Sequence, residues 1–247
     1  MAQTLRIVEI GKLKSACSSC SLSELCLPAG LSGKELQSVD RLVNRRRTIK
    51  RGDYLFRSGV ALHALYALRT GFMKSSVLHE DGREQVAGFH MAGDLLGLDA
   101  IGGESHLCDA VALEDSDVCE IPLHELENLS REIPSLQSHF HRIMSREIAR
   151  DHGVMLLLGS MRAEERLAVF LLNLSQRFAA RGYSSNEFHL RMTREEIGSF
   201  LGLKLETVSR TLSHFQAEGL ISVRNKHLRI LKMDTLKELV SHHGCNS

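Results

Sequence analysis

Residues 193–219 read TREEIGSFLGLKLETVSRTLSHFQAEG. The opening Thr193-Arg194-Glu195-Glu196 matches a capping box, in which the Thr hydroxyl takes the amide three residues on and the Glu carboxylate reaches back to the Thr amide. A helix is therefore expected over 194–201. Gly202 supplies a tight turn, and a second helix runs from about Leu205 to Glu218, where Gly219 ends it. This is helix–turn–helix spacing. On the second helix Val208, Leu212 and Phe215 make an inner, apolar face. Glu206, Ser209 and Arg210 fall at i, i+3 and i+4 on one face near its start. The first residues of a recognition helix are those that reach base edges. Arg can take guanine O6 and N7, Glu can accept from cytosine N4, and Ser suits a base edge or a phosphate. Downstream, two short apolar runs, 220–223 and 227–230, flank Arg224-Asn225-Lys226, as a β-wing with a phosphate-facing basic tip would. The plainer alternative is that Glu206 and Arg210 form a surface ion pair. The capping box, the Gly turn and the basic wing around them weigh against it.

Outward from that segment, 247 residues suggest two domains, and 43 % hydrophobic content suffices for packed cores. The net charge of +1 names no partner, but its distribution does. Residues 84–130 hold no Lys or Arg against 11 Asp and Glu, whereas 181–232 hold nine Lys and Arg against five Glu, so the two halves have different tasks. Residues 1–14 lack the apolar core and cleavage site of a signal peptide. No apolar run approaches the length of a membrane span, and a cytoplasmic protein is expected.

Between 48 and 124, turn signals recur (Gly52, Gly59, Gly71, Gly82, Gly93) around short apolar runs such as 65–68 and 86–89, with a hairpin loop at 79–84. Many short strands with regular turns predict a barrel or jelly-roll. An amphipathic helix is expected over 31–44 and another over 163–181, with Leu167, Phe170, Leu171 and Leu174 on one face. A long helix begins near Pro134. Its seam reads Met144, Ile148, Asp151, Met155 and Leu158, spaced 4, 3, 4, 3, a coiled-coil register for a homodimer. Asp151 is the polar exception. Two such carboxylates facing each other repel and lose solvation, which makes the pair weak. Either Asp151 lies wet at the edge of the seam, or the dimer is tuned to be marginal. The expected class is α+β: an N-terminal cysteine segment (1–30), a β-roll sensor (31–131), a dimerisation helix (132–160) and a winged helix-turn-helix domain (161–247).

The stretch CSSCSLSELC spaces Cys17, Cys20 and Cys26 as C-x2-C-x5-C, and Cys119 lies far downstream. Three close thiolates can grip one face of an iron–sulfur cluster and a fourth from elsewhere can close the site. Six cysteines in a cytosolic chain favour metal or redox chemistry over structural disulfides. Zinc and a Cys17–Cys20 thiol–disulfide switch remain open alternatives. Cys108 and Cys245 read as bystanders, and His242-His243 as a solvated pair in a polar tail.

The order of these parts resembles the CRP/FNR superfamily of bacterial transcription regulators, and within it the oxygen-sensing fumarate and nitrate reduction branch. The resemblance covers nearly all of 15–232. It is carried by CSSCSLSELC, the strand Cys119-Glu120-Ile121-Pro122, AEERLAVFLLNLSQRFAARG and LGLKLETVSR. It implies that Cys17, Cys20, Cys26 and Cys119 hold a [4Fe-4S] cluster, that oxygen converts it to a [2Fe-2S] form, and that the dimer then weakens. It implies further that Asp151 opposes dimerisation, that Ile148 supports it and that Leu25 shields the cluster. Glu206, Ser209 and Arg210 become the readers of palindromes with half-sites resembling TTGAT. The hairpin around Arg83 resembles the surface that touches RNA polymerase sigma factor, although its charge pattern departs from relatives with an acidic residue after the glycine. Ser19 stands before Cys20 where a relative carries an acidic residue, which implies altered oxygen reactivity.

Two rivals meet direct objections. A cyclic-nucleotide-gated regulator needs an arginine in the roll for the phosphate. None occurs in 84–130, and His106 occupies roughly that place. An enzyme is disfavoured because the chain has no P-loop, dinucleotide fingerprint or G-x-S-x-G elbow.

Overall fold

The structure, a computed structural model, describes residues 17–43, 45–79 and 81–241. The expectations for residues 1–14, His242-His243 and Cys245 lie outside these. In chain order the elements are α1 (Gly33–Leu42), β1 (Arg45–Ile49), β2 (Tyr54–Phe56), β3 (Ala64–Thr70), β4 (Phe72–Leu78), β5 (Glu84–Met91), β6 (Leu95–Leu96), β7 (Asp109–Ala112) and β8 (Ser116–Pro122). There follow α2 (Leu123–Glu132), α3 (Pro134–Ser160), α4 (Ala163–Ala179), β9 (Glu187–His189), α5 (Arg194–Leu201), α6 (Leu205–Ala217), β10 (Ile221–Arg224), β11 (His227–Ile230) and α7 (Met233–Ser241).

Strands β1 to β8 make two antiparallel sheets, ordered β1-β8-β3-β6 and β2-β7-β4-β5. Their inner faces enclose Leu55, Leu68, Met73, Leu96, Ala110 and Val118. This is the β-roll the turn spacing predicts. A second apolar cluster lies under the roll, where Leu27 and Val39 meet Ile121, Leu126, Leu136 and Ile143 of α2, α3 and the sheet. Helix α1 is shorter than the expected 31–44. Ser32 caps it, and its amide donates to the Glu35 carboxylate at 2.7 Å, which fixes the start two residues later.

Helix α4 ends at Ala179, two residues before the expected stop. The reason is tertiary: Arg181 folds back and its Nε donates to the Ala92 carbonyl at 2.6 Å. Strand β9 joins the wing as β10-β11-β9. The largest core spans both halves of the chain. Phe89 of the roll meets Phe170 of α4 (centroids 6.0 Å) and Phe200 of α5 (5.3 Å).

Polar contacts reinforce that junction. Lys74 pairs with Glu84 at 2.8 Å and with Glu196 of α5 at 3.2 Å. The Ser199 hydroxyl accepts from the Val86 amide (2.9 Å) and donates to the Glu84 carbonyl (3.1 Å). Asp94, in the turn after β5, receives Arg177 at 2.5 Å and Arg181 at 2.7 Å. No helix among the described residues is long and apolar enough to cross a membrane.

Candidate functional site

Two constellations stand out, a ring of thiols under the roll and the outer face of α6. The first begins at a short 3-10 turn, Cys17–Ser19. Asp40 of α1 pins it, accepting from the Ser18 amide (3.2 Å) and hydroxyl (2.9 Å). The chain then coils tightly: the Cys20 amide donates to the Cys17 carbonyl at 3.1 Å and the Cys26 amide to the Leu22 carbonyl at 3.0 Å. Cys119 arrives from β8, the second strand of its sheet, with Arg46 of β1 and Ala67 of β3 as its cross-strand neighbours.

All four thiols border one small pocket, together with Leu22, Leu27 and Ala67. Burial pushes the Cys17 and Cys26 thiols up to about 12, and each is raised further by the charge of its cysteine neighbours. Burial also raises Cys119, against the opposing pull of the Arg46 and Arg69 guanidiniums. Cys17, Cys26 and Cys119, buried close together, need a cation to hold them as thiolates. Among the described residues no group of three or more His, Cys, Asp or Glu converges on a point where one metal ion could sit. Cysteine is the one metal-ligating residue type among the residues that line the pocket, a donor set that suits an iron–sulfur group or a zinc ion.

Leu25 is not among the residues bordering this pocket. Its side chain lies against the Gly93 turn, where a Cβ added to Gly93 would come within 3.1 Å of it. Cys108 also lies away from the ring. Its thiol donates to Asp99 at 3.5 Å, and burial pushes it up to about 12. His106 is buried, stacked on Phe56 at 3.7 Å between centroids, with Nδ1 3.4 Å from the Asp99 carboxylate.

Helix α3 joins the thiol ring to the rest. Leu136, His139 and Ile143 face inward, and His139 Nε2 lies 3.1 Å from the Cys26 carbonyl. Farther along, Ile148 (57 % exposed), Asp151 and Met155 (68 %) form an open stripe, joined by Leu156. Met144 is half-buried. Leu158 turns inward against the C-terminal core and is half-buried too.

The second constellation follows from the local signals. Thr193 Oγ1 accepts from the Glu196 amide at 3.1 Å, while the Thr193 amide donates to the Glu196 carboxylate at 2.7 Å. Gly202 takes φ +63°, a left-handed turn that glycine adopts without strain. Gly198, which the sequence reading passed over, is equally necessary, since a Cβ there would meet the Leu203 carbonyl at 2.6 Å. Its role shows only once the two helices are folded together. Val208, Leu212 and Phe215 are buried, at 0 %, 1 % and 1 % exposure, which turns Glu206 and Arg210 outward. Among the described residues Glu206 and Arg210 form no ion pair with each other. Ser209 is half-buried and accepts from Arg194 at 3.3 Å. The wing tip places Asn225 at φ +58° between Arg224 and Lys226.

Comparison with known proteins agrees with this architecture. The model of the Crp-like helix-turn-helix domain matches residues 165–239, and that of the cyclic nucleotide-binding domain matches 46–132. The chain is 48 % identical to the transcriptional regulatory protein btr of Bordetella pertussis over 93 % of this chain and 95 % of the relative. It is 46 % identical to the fumarate and nitrate reduction regulatory protein of Escherichia coli K12, over 96 % of this chain and 95 % of that one. Among solved structures, FixK2 from Bradyrhizobium japonicum superposes with a TM-score of 0.73 at 29 % identity, covering 79 % of this chain and 96 % of that one. The α+β architecture, the DNA-reading end and these relatives, which are regulators rather than enzymes, agree: the chain belongs to the CRP/FNR family of DNA-binding transcription regulators.

Proposed function

We propose that this regulator responds to oxygen through a [4Fe-4S] cluster held by Cys17, Cys20, Cys26 and Cys119. In this reading α3 forms a homodimer along Met144, Ile148, Asp151 and Met155, while Leu158, expected in the same seam, packs on the C-terminal core and lies at its edge. Glu206, Ser209 and Arg210 then read palindromic DNA with half-sites resembling TTGAT. The observation that carries the reading is the convergence of the four thiols from two distant segments on one pocket. Bound there, the cluster would supply an oxygen-labile bridge between the N-terminal segment and β8. The protein's own residues do the rest. The Asp40 and Cys26 contacts shape the segment, α3 presents the open apolar stripe, and α6 presents its polar face. Two copies paired along α3 would set two recognition helices about one DNA turn, roughly 34 Å, apart. A monomer keeps one half-site and loses most of the affinity.

Leu25 would act on oxygen access from the Gly93 side rather than from the pocket wall. RNA polymerase is a further partner in this reading, and a cyclic nucleotide is not. His106, at roughly the place where the resemblance puts the phosphate-binding arginine, is committed to Phe56 and Asp99. A cytoplasmic setting suits both the reduced thiols and the DNA target.

The test is an anaerobic visible spectrum with iron and sulfide analysis, followed by titration with air. A broad band near roughly 400 nm that bleaches in air, with about four irons per chain, supports the reading. Protein made and kept without oxygen that is colourless or holds zinc rejects it.

Two variants extend the test. Asp151 is exposed within an apolar stripe, so pairing brings two carboxylates together. Removing that repulsion is worth about 1–4 kcal/mol at contact distance, depending on residual solvation. Asp151→Ala is therefore expected to tighten the dimer at least about fivefold and keep it dimeric in air, as sedimentation would show. A monomeric Asp151→Ala protein in air would contradict the seam. Arg210→Ala is expected to cost about 1–3 kcal/mol of DNA affinity and to relax selection at a single guanine position. Competition binding against a panel of half-site variants reads both effects, and a uniform loss across the panel would make Arg210 a phosphate contact.

A further inference from the structure

We propose that His139 is the positioning residue through which the state of the cysteine segment reaches the dimerisation helix. The proposal rests on the cluster reading above and adds the physical link that reading lacks. His139 is 7 % exposed on the inward face of α3. One ring nitrogen, Nδ1, faces Arg142 Nη2 at 3.4 Å. A guanidinium can only donate, so Nδ1 accepts and the ring proton sits on Nε2. Nε2 therefore donates to the Cys26 carbonyl at 3.1 Å. The same carbonyl also accepts from the Ala29 amide at 3.1 Å, so the imidazole grips the coil at the point where it turns away from the thiol ring.

A second contact on the same face points the same way. The Ser135 hydroxyl donates to the Glu35 carboxylate at 2.6 Å. Ser135 and His139 are four residues apart, hence one turn apart on the same side of α3. One grips α1 and the other grips the Cys26 coil. Cys17, Cys26 and Cys119 pack against the apolar cluster that includes Leu136 and Ile143 of the same face. The Cys26 coil and α1 together hold α3 at two polar points, and the cysteines add one apolar strip. From His139 the helix continues unbroken past Asp151, which lies roughly 18 Å farther along the axis at 1.5 Å per residue. A rigid helix held at its N-terminal half carries a small tilt there into a displacement of the Ile148–Asp151–Met155 stripe. Movement of the Cys26 backbone is in this way felt at the seam without any contact between the thiols and the partner chain.

The experiment compares wild type, His139→Leu and His139→Gln, each made anaerobically as full-length protein. The Gln side-chain amide can take the place of Nε2, whereas Leu fills the space without a donor. Three quantities are read: iron and sulfide content, dimer and DNA affinity of the loaded protein, and hydrogen exchange of residues 26–31 in the cluster-free protein. His139→Leu is expected to load iron as wild type does, yet to dimerise about five- to tenfold more weakly, the effect of one lost buried hydrogen bond. Exchange at 26–31 should rise, and His139→Gln should restore both properties. Should the leucine variant not fold, His139→Asn, polar but too short to reach Cys26, replaces it with the same expected result.

A loaded His139→Leu protein that dimerises like wild type overturns the proposal, as does unchanged exchange in the cluster-free form. Failure of the variant to take up iron overturns it as well, because the residue would then hold a ligand in place rather than pass on its state. Iron-free wild type is a separate outcome: it rejects the cluster reading itself and the relay with it.

Discussion

Cys119→Ala is expected to abolish iron uptake and leave the β-roll folded. Cys119 lies on β8 between β1 and β3, and its backbone pairs with Arg46 and Ala67 whatever side chain it bears. Truncating one half-buried thiol costs about 1 kcal/mol of burial, small against the 5–15 kcal/mol that holds a domain together. The ligand set behaves differently. Cys17, Cys20 and Cys26 belong to one short coil, and Cys119 is the thiol in the ring that ties this coil to the roll. Without it the proposed cluster would lose both a ligand and its attachment to the β-roll. Circular dichroism should be unchanged, iron and sulfide should fall to background, and anaerobic DNA affinity should drop to that of air-exposed wild type. Cys108→Ala is the control. Its thiol is turned to Asp99, outside the ring, so that variant should load normally. A Cys119→Ala protein that keeps about four irons per chain would remove Cys119 from the ligand set.

The parts of the molecule legible in the sequence are those whose signals are local. Thr193 and Glu196 announce α5 because a capping box is complete within four residues. The buried positions of α4 and α6 follow from helical periodicity. Strand-and-turn rhythm was enough for the roll. Helix α2 escaped although Leu123, Leu126 and Leu129 carry a helical spacing, because it follows β8 with no loop and Pro122 serves both elements. The three-residue strand β9 exists through its pairing with β11, and no three-residue pattern could have revealed it. Helix α7 begins at Met233, just past the second wing run at 227–230, where the sequence reading named no element.

The candidate site divides in the same way. The outward face of α6 is a property of one helix and could be read directly. That Leu25 meets Gly93, that His139 meets Cys26 and that Ser199 meets Val86 are pairings of residues far apart in the chain. They depend on how sheets and helices stack, which local propensity does not encode.

Asp94→Asn is expected to give the largest loss of stability of any single change outside the cores. The Asp94 carboxylate receives Arg177 at 2.5 Å, Arg181 at 2.7 Å and the Met91 amide at 2.8 Å, and its side chain is only 14 % exposed. Arg177 and Arg181 belong to the end of α4 and the turn after it, so this cluster fastens the DNA-binding half to the roll. Asn keeps the shape and can still accept from Met91, but it leaves two buried guanidiniums without a counter-charge. Breaking one side of such a pair costs about 3–5 kcal/mol. In a chain of this size that lowers the unfolding midpoint by roughly 10 °C.

The pH dependence separates this effect from a packing defect. Burial alone would raise the Asp94 pKa, but Arg177 and Arg181 more than offset it and hold the carboxyl below its ordinary value of 3.8. A carboxyl depressed in the folded state stabilises fully above its unfolded pKa, and the contribution disappears as pH falls through the folded value. Wild type should therefore keep the Asp94 contribution from neutrality down to about pH 4 and lose it only in stronger acid, while Asp94→Asn lacks that acid step and is weaker throughout the neutral range. Because Leu25 rests on Gly93 beside this carboxylate, the loosened turn should also raise hydrogen exchange around Leu25. A midpoint within about 2 °C of wild type, corresponding to less than 1 kcal/mol, would show that the guanidiniums find water when the carboxylate is gone, and that the two halves are held by the Phe89–Phe170–Phe200 cluster instead.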